Sequence, residues 1–294
     1  MTSQVLSDRW RGPGPLAGIR TALAWTGFLA VYLFLYAPLL TIAVFAFNDS
    51  TVQALPWAGF TLTWFSGITT NGPLLTALTF GLSVSVTVVV LACVIGTFFA
   101  VTLYRMTGRA PRVLTAAVVI PAIVPGMVLG LSLAITFRLL GILPGFSTIV
   151  IGHLTFTVPV VTLVVLTRLR RLDPSLQQAS MDLGANPWRA FWTVTFPQIR
   201  TSVVAASLLT FTLSFDEVIV TFFLVGTQPT LPLFIWAQTR FGFTPEVNAI
   251  VTVIGVVSIA LIVIATRVIE QQVDPYAQRG SSRRERPDTN HTGQ

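Results

Sequence analysis

The sequence contains no lysine, one cysteine and two histidines, and only 10% of its 294 residues are charged. Each scarcity removes a class of function. A nucleotide-binding phosphate loop ends in Gly-Lys-Ser or Gly-Lys-Thr, because the lysine must reach the β- and γ-phosphates. These residues hold no such loop, so any ATP hydrolysis that serves the chain comes from a separate polypeptide. Cys93 stands alone within an apolar run and offers neither a disulfide nor a thiolate metal site. His153 and His291 are too few for a metal centre. Soluble domains carry about 25% charged residues. Here the hydrophobic share is 53%, more than one soluble core can hide, and the bilayer must act as solvent. A net charge of +7 does not signal nucleic acid, because the arginines lie between apolar runs and in the tails.

What is present is a series of long apolar runs. A helical span needs about 20 apolar residues. Five uncharged stretches reach that length, at 23–47, 74–103, 113–137, 141–167 and 247–266. A sixth, 202–226, is apolar apart from Asp216 and Glu217 near its middle. The first run is too long for a signal-peptide core and has no small-residue cleavage site, so it reads as an anchor. The expected fold is an all-α integral membrane protein of about six transmembrane helices.

Arginine sets the orientation. With the N-terminus inside, the cytoplasmic segments hold Arg9, Arg11, Arg20, Arg105, Arg109, Arg112, Arg168, Arg170, Arg171, Arg189, Arg200, Arg267, Arg279, Arg283, Arg284 and Arg286. The outer segments hold Arg138 and Arg240. The positive-inside rule therefore places both termini in the cytoplasm. The organisation predicted is a cytoplasmic tail 1–22, a membrane domain 23–268 with one long cytoplasmic loop at 168–201, and a disordered tail 269–294. Trp57, Trp64 and Trp236 fall in outer segments, where indoles serve as interfacial anchors or as contacts for an external partner.

The cytoplasmic loop carries two sets of helix signals. Asp173 suits an N-cap, Pro174 a first helical position and Gly184 a stop. Asn186 and Pro187 then restart the pattern, and a second short helix runs as far as Pro197. The two helices meet at an elbow at Gly184–Ala185. Leu176, Ala179 and Leu183 share a face of the first, and Trp188, Phe191, Trp192 and Val194 crowd the second. Exposed apolar surface of this kind marks a docking site for a partner's groove, or else a helix resting on lipid.

The sixth run raises a different question. A carboxylate at mid-bilayer costs roughly 2.5–3.5 kcal/mol on insertion scales, and no basic residue lies in any of the six runs to offset Asp216 and Glu217. Ser207, Thr210, Ser214, Glu217 and Thr221 are three or four residues apart and form one polar stripe of a helix. Such a stripe fits the wall of a water-accessible path in which a cationic solute supplies the missing charge. Phe211, Phe215 and Phe222 add rings for cation–π contact or for plain packing. Ser and Thr equally line close helix packing. Pro121, Pro125, Gly126 and Gly130 interrupt the third run, for packing or as a hinge. His153 reads as a hydrogen-bonded helix residue or a proton relay.

Gln178-Ala179-Ser180, with Gly184 and then Phe196-Pro197 beyond, resembles the Glu-Ala-Ala…Gly…Leu-Pro loop of ABC importer permeases. Phe211 to Val218, Thr244 to Ala249 and Ser147 to Thr157 resemble the second permease of spermidine/putrescine importers. Gln178 stands where that family carries Glu, and Ser180 where it carries Ala, so an ion pair from that Glu is missing while docking by shape remains. The resemblance implies a type I ABC importer permease in the bacterial inner membrane, with no catalysis of its own and no cofactor in this chain. ATP and Mg would be bound by two ATPase subunits, and a sister permease and an extracytoplasmic solute-binding protein would complete the complex in its lipid. Nucleic acid has no place in it. The implied coupling residues are Gln178, Ala179, Ser180, Asp182, Gly184, Trp188 and Pro197, and the implied path residues are Asp216, Glu217, Ser214 and Thr210. The rival readings are an ion-coupled carrier using the two acids, a passive channel, and an ABC permease for another small solute.

Overall fold

Backbone polar groups placed among apolar side chains in lipid must pair within their own segment, so runs of this composition fold as helices. The computed structural model describes residues 15–238, 244–260 and 263. Arg9, Arg11, Arg240, the arginines from Arg267 onward and the predicted tail 269–294 lie outside the described residues. The helices in chain order are α1 (Pro15–Phe45), α2 (Thr63–Thr70), α3 (Gly72–Arg105), α4 (Ala110–Ile123), α5 (Gly126–Leu139) and α6 (Phe146–Leu169). They continue as α7 (Pro174–Asp182), α8 (Pro187–Ala190), α9 (Phe196–Phe215), α10 (Ile219–Leu224) and α11 (Leu231–Gln238), with α12 (Pro245–Ala260) last. The described residues hold no strand beyond a single antiparallel bridge, Asn48 with Phe60.

The chain divides into two compact units, one from residues 69–242 and one from the two chain ends. In the larger unit α6 is the hub, packed against α3, α9, α4 and α10. Its Val158, Val161, Val165, Leu166 and Leu169 join Ala92, Ala100 and Leu103 of α3 and Ile199 and Ala206 of α9 in one apolar cluster. Its Ile149 and Val150 join Val84, Val88, Leu129, Phe137, Val220 and Leu224 in a second. Thr157 and Thr162 are buried in this helix because their hydroxyls donate to the carbonyls of His153 and Val158, four residues back, at 2.7 and 2.8 Å.

Two of the predicted runs are not single rods. The third run is α4 and α5, bent by 97° between them. Val124 is extended (φ −65°, ψ 131°) ahead of Pro125, the conformation that a following proline imposes. Gly126 and Gly130 then seat α5 on α10; a Cβ at Gly130 would lie 3.2 Å from the Val220 Cα. These glycines therefore serve packing. The sixth run stops at Phe215 and resumes at Ile219, so the continuous polar helix expected there is two segments with the acids in the break.

In the smaller unit α1 is exposed from Thr21 to Thr41. The loop after it folds back on itself. Asp49 N–H donates to the Gly59 carbonyl and Thr61 N–H to that of Phe47, both at 2.9 Å. Trp64 donates its indole N–H to the Asn48 carbonyl at 2.8 Å, so this half-buried indole clasps the loop. Trp57 is exposed.

Candidate coupling loop and transport path

The loop between α6 and α9 adopts the two helices its capping residues predict. Asp173 accepts the Ser175 N–H at 2.9 Å, and Asn186 accepts the Arg189 N–H at 2.8 Å. The Ser175 contacts hold the Asp173 carboxyl below its usual range, because a hydrogen bond to a carboxylate favours its charged form. Gly184 turns the chain at φ +89°, a left-handed value that residues with a Cβ avoid. Gln178, Ala179 and Asp182 are exposed and Ser180 half-buried. Leu183 (90% exposed) and Trp188 (71%) present apolar surface outward. Leu176, Ala179, Ser180 and Leu183 line a groove of about 520 Å³ with Arg189 and Val194. Trp188 and Trp192 line a second, of about 640 Å³, with Phe98 and Arg105 of α3.

The expected end of the second helix at Pro197 is corrected. α8 passes through a π-helical turn at Phe191–Thr195 directly into α9. Phe196 N–H donates to the Phe191 carbonyl, five residues back, and Pro197 falls in the first turn of α9, where a missing N–H is harmless. Trp192 bridges the turn, its ring centroid 5.7 Å from that of Trp188 and 4.8 Å from that of Phe196. Arg168 Nε adds a bond to the Gln198 carbonyl at 3.2 Å. The helix that begins in the loop is therefore continuous to Phe215.

The acid pair occupies the break after it. Asp216 closes α9, its N–H donating to the Thr212 carbonyl at 3.1 Å, and its carboxylate is exposed. Glu217 is half-buried, and its Oε1 accepts the Val220 N–H at 2.9 Å. One carboxylate oxygen thus caps α10, as anions at helix starts do; reading the run as one helix hid this role. The stripe hydroxyls turn inward. Thr210, Ser214 and Thr221 are buried, and the Thr210 hydroxyl has no hydrogen-bond partner. Phe211 and Phe215 stack with centroids 5.6 Å apart, and Phe222 meets Trp236 edge-on at 5.6 Å.

His153 lies at the centre of this arrangement, fully buried. Its Nδ1 is 2.9 Å from Ser214 Oγ and its Nε2 is 2.9 Å from Thr221 Oγ1.

An exposed apolar loop is joined through a continuous helix to two carboxylates at a helix break. Residues 92–275 match the family described as the binding-protein-dependent transport system inner membrane component. The chain belongs to that family. It is 36% identical over 239 residues to the spermidine/putrescine transport system permease protein PotC of Escherichia coli (strain K12), covering 81% of this chain and 90% of that one. To the putrescine transport system permease protein PotI of the same strain it is 33% identical, covering 76% and 82%. A crystal structure of a bacterial ABC transporter that imports the acidic polysaccharide alginate shares the fold, with a TM-score of 0.65 and 18% identity over 88% of this chain and 96% of that one. The protein is thus a type I ABC importer permease of the inner membrane.

Proposed function

We propose that this permease carries polyamine-class cations, spermidine or putrescine, on energy delivered by a separate ATPase that docks on the loop 168–201. Two ATPase subunits, a sister permease and an extracytoplasmic solute-binding protein complete the complex, and this chain binds no nucleotide or cofactor of its own. The observation that carries the reading is the uninterrupted helix from Pro187 to Phe215. The 20 residues of α9 span about 30 Å at about 1.5 Å per residue. Movement of the loop is therefore passed along a stiff rod to the end that carries Asp216 and Glu217. The names of the two relatives supply the solute class, and the uncompensated acids supply the chemistry for it. In the alternating-access cycle, closure of the ATPases draws the loop, and the break opens to take the cation from the binding protein.

Two experiments test the two halves. Uptake of labelled spermidine and putrescine into vesicles holding the whole complex should fall at least tenfold in Glu217→Gln, and by as much or less in Asp216→Asn (roughly the loss of one charged contact). Gln at 217 retains a carbonyl oxygen for the Val220 N–H, so the cap survives. Wild-type uptake in both variants would show the pair to be structural. In Gly184→Val the new side chain has open space around it, and the strain is confined to a backbone at φ +89°. Normal membrane insertion with lost co-purification of the ATPase, or with hydrolysis no longer tied to uptake, is expected; unchanged assembly and uptake would remove the docking assignment.

A further inference from the structure

His153 touches both sides of the break that carries the acid pair. Ser214, on its Nδ1 side, belongs to α9, and Thr221, on its Nε2 side, belongs to α10. The direction of each bond follows from counting protons. Thr221 has one hydroxyl hydrogen and gives it to the Glu217 carbonyl at 2.8 Å. Its oxygen is then an acceptor, and the donor facing it is His153 Nε2–H. A neutral imidazole protonated at Nε2 has a bare Nδ1, which accepts the Ser214 O–H. The result is one directed chain, from Ser214 through the imidazole and Thr221 to the backbone of Glu217, with every donor used.

We infer that His153 is the positioning residue of the acid pair: as a neutral Nε2–H imidazole it fixes α9 against α10 and so fixes how the Asp216 and Glu217 carboxylates are presented to solute. This rests on the reading of those acids as solute contacts. Three features support it. The ring is buried and spends both nitrogens on opposite sides of the same break. Thr221 hands the constraint directly to Glu217. A further side-chain bond from α6, Thr148 Oγ1 to the Leu224 carbonyl at 2.9 Å, holds the far end of α10, while the two His153 bonds reach the residues beside the break. A residue that only filled space would need neither hydroxyl.

The test uses the whole complex with its binding protein, reading solute moved per ATP hydrolysed for spermidine and for putrescine separately. His153→Phe keeps a ring but removes both bonds. It should lower the solute moved per ATP about tenfold and change the spermidine-to-putrescine ratio, because the two solutes space their charges differently. His153→Gln, whose amide nitrogen reaches the Nε2 position, and His153→Asn, whose oxygen reaches the Nδ1 position, should each recover part of the loss. Ser214→Ala and Thr221→Val should each reproduce part of it and have no further effect in a His153→Phe background. An unchanged ratio and unchanged solute per ATP in an assembled His153→Phe complex would overturn the inference. If that variant does not assemble, the same result in both Ser214→Ala and Thr221→Val overturns it. Asp216→Asn and Glu217→Gln run alongside. Loss of uptake there with His153→Phe unaffected defeats only the positioning role, whereas wild-type uptake in both acid variants defeats the reading beneath it.

Discussion

The stretches at α1 and α6 are equally apolar, yet α1 is exposed from Thr21 to Thr41 and α6 is buried over most of its length. Hydropathy therefore reports the solvent a segment tolerates, not whether that solvent is lipid or protein. What separates the two is the kind of residue. In lipid, helices associate through small residues that let backbones approach and through polar side chains that bond across or within them. α6 buries Gly152, His153, Thr157 and Thr162. α1 instead displays Trp25, Phe28, Tyr32 and Tyr36 in a ladder of ring contacts 4.4–6.0 Å apart, all exposed. Such rings suit a lipid-facing surface and leave little room for a close neighbour.

Substitutions of one kind in both helices sharpen this contrast. The largest effect is expected from truncating a core leucine. Leu166 of α6 is buried among both α3 and α9 residues, and Leu166→Ala should destabilise the solubilised protein by about 2–5 kcal/mol through lost contacts and a cavity. Leu33 of α1 is exposed, and Leu33→Ala should change stability by about 0.5 kcal/mol or less. Thermal unfolding in one detergent checks both, and equal losses would break the comparison. A smaller effect is expected from adding bulk. A Cβ at Gly152 would run into Leu224 and come within 3.2 Å of Val220, both buried. Gly152→Val should therefore cost about 1–3 kcal/mol and lower the yield of folded protein. Gly27 has nothing within 4 Å of its would-be Cβ, so Gly27→Val should be nearly silent, with fluorescence-detected size-exclusion profiles distinguishing the two. A disruptive Gly27→Val would show that α1 has a close neighbour.

The loop shows how much a sequence can disclose when the determinants are local. Asp173, Pro174, Gly184, Asn186 and Pro187 act on backbone groups within three residues of themselves, and each does what its type predicts. Pro197 is the exception. Whether a proline ends a helix or begins one depends on whether the preceding turn can do without its N–H. Here the π turn at Phe191–Thr195, packed with aromatic rings, lets the helix run on. Similarly, Pro125 announced an interruption, but not a bend of 97°.

The sequence by itself determined the solvent, the helical class and the two capped helices of the loop at 168–201, because composition and capping act over a few residues and need no partner. Only the tertiary structure decided where the sixth run breaks, that Glu217 caps α10 with its own carboxylate, and that the hydroxyl stripe faces the core. The bonds that hold Ser214 and Thr221 inward join residues 61 and 68 positions apart, His153 to Ser214 and His153 to Thr221. A carboxylate and a histidine in apolar runs advertise a need for partners; which partners they find depends on how the helices that carry them are folded together.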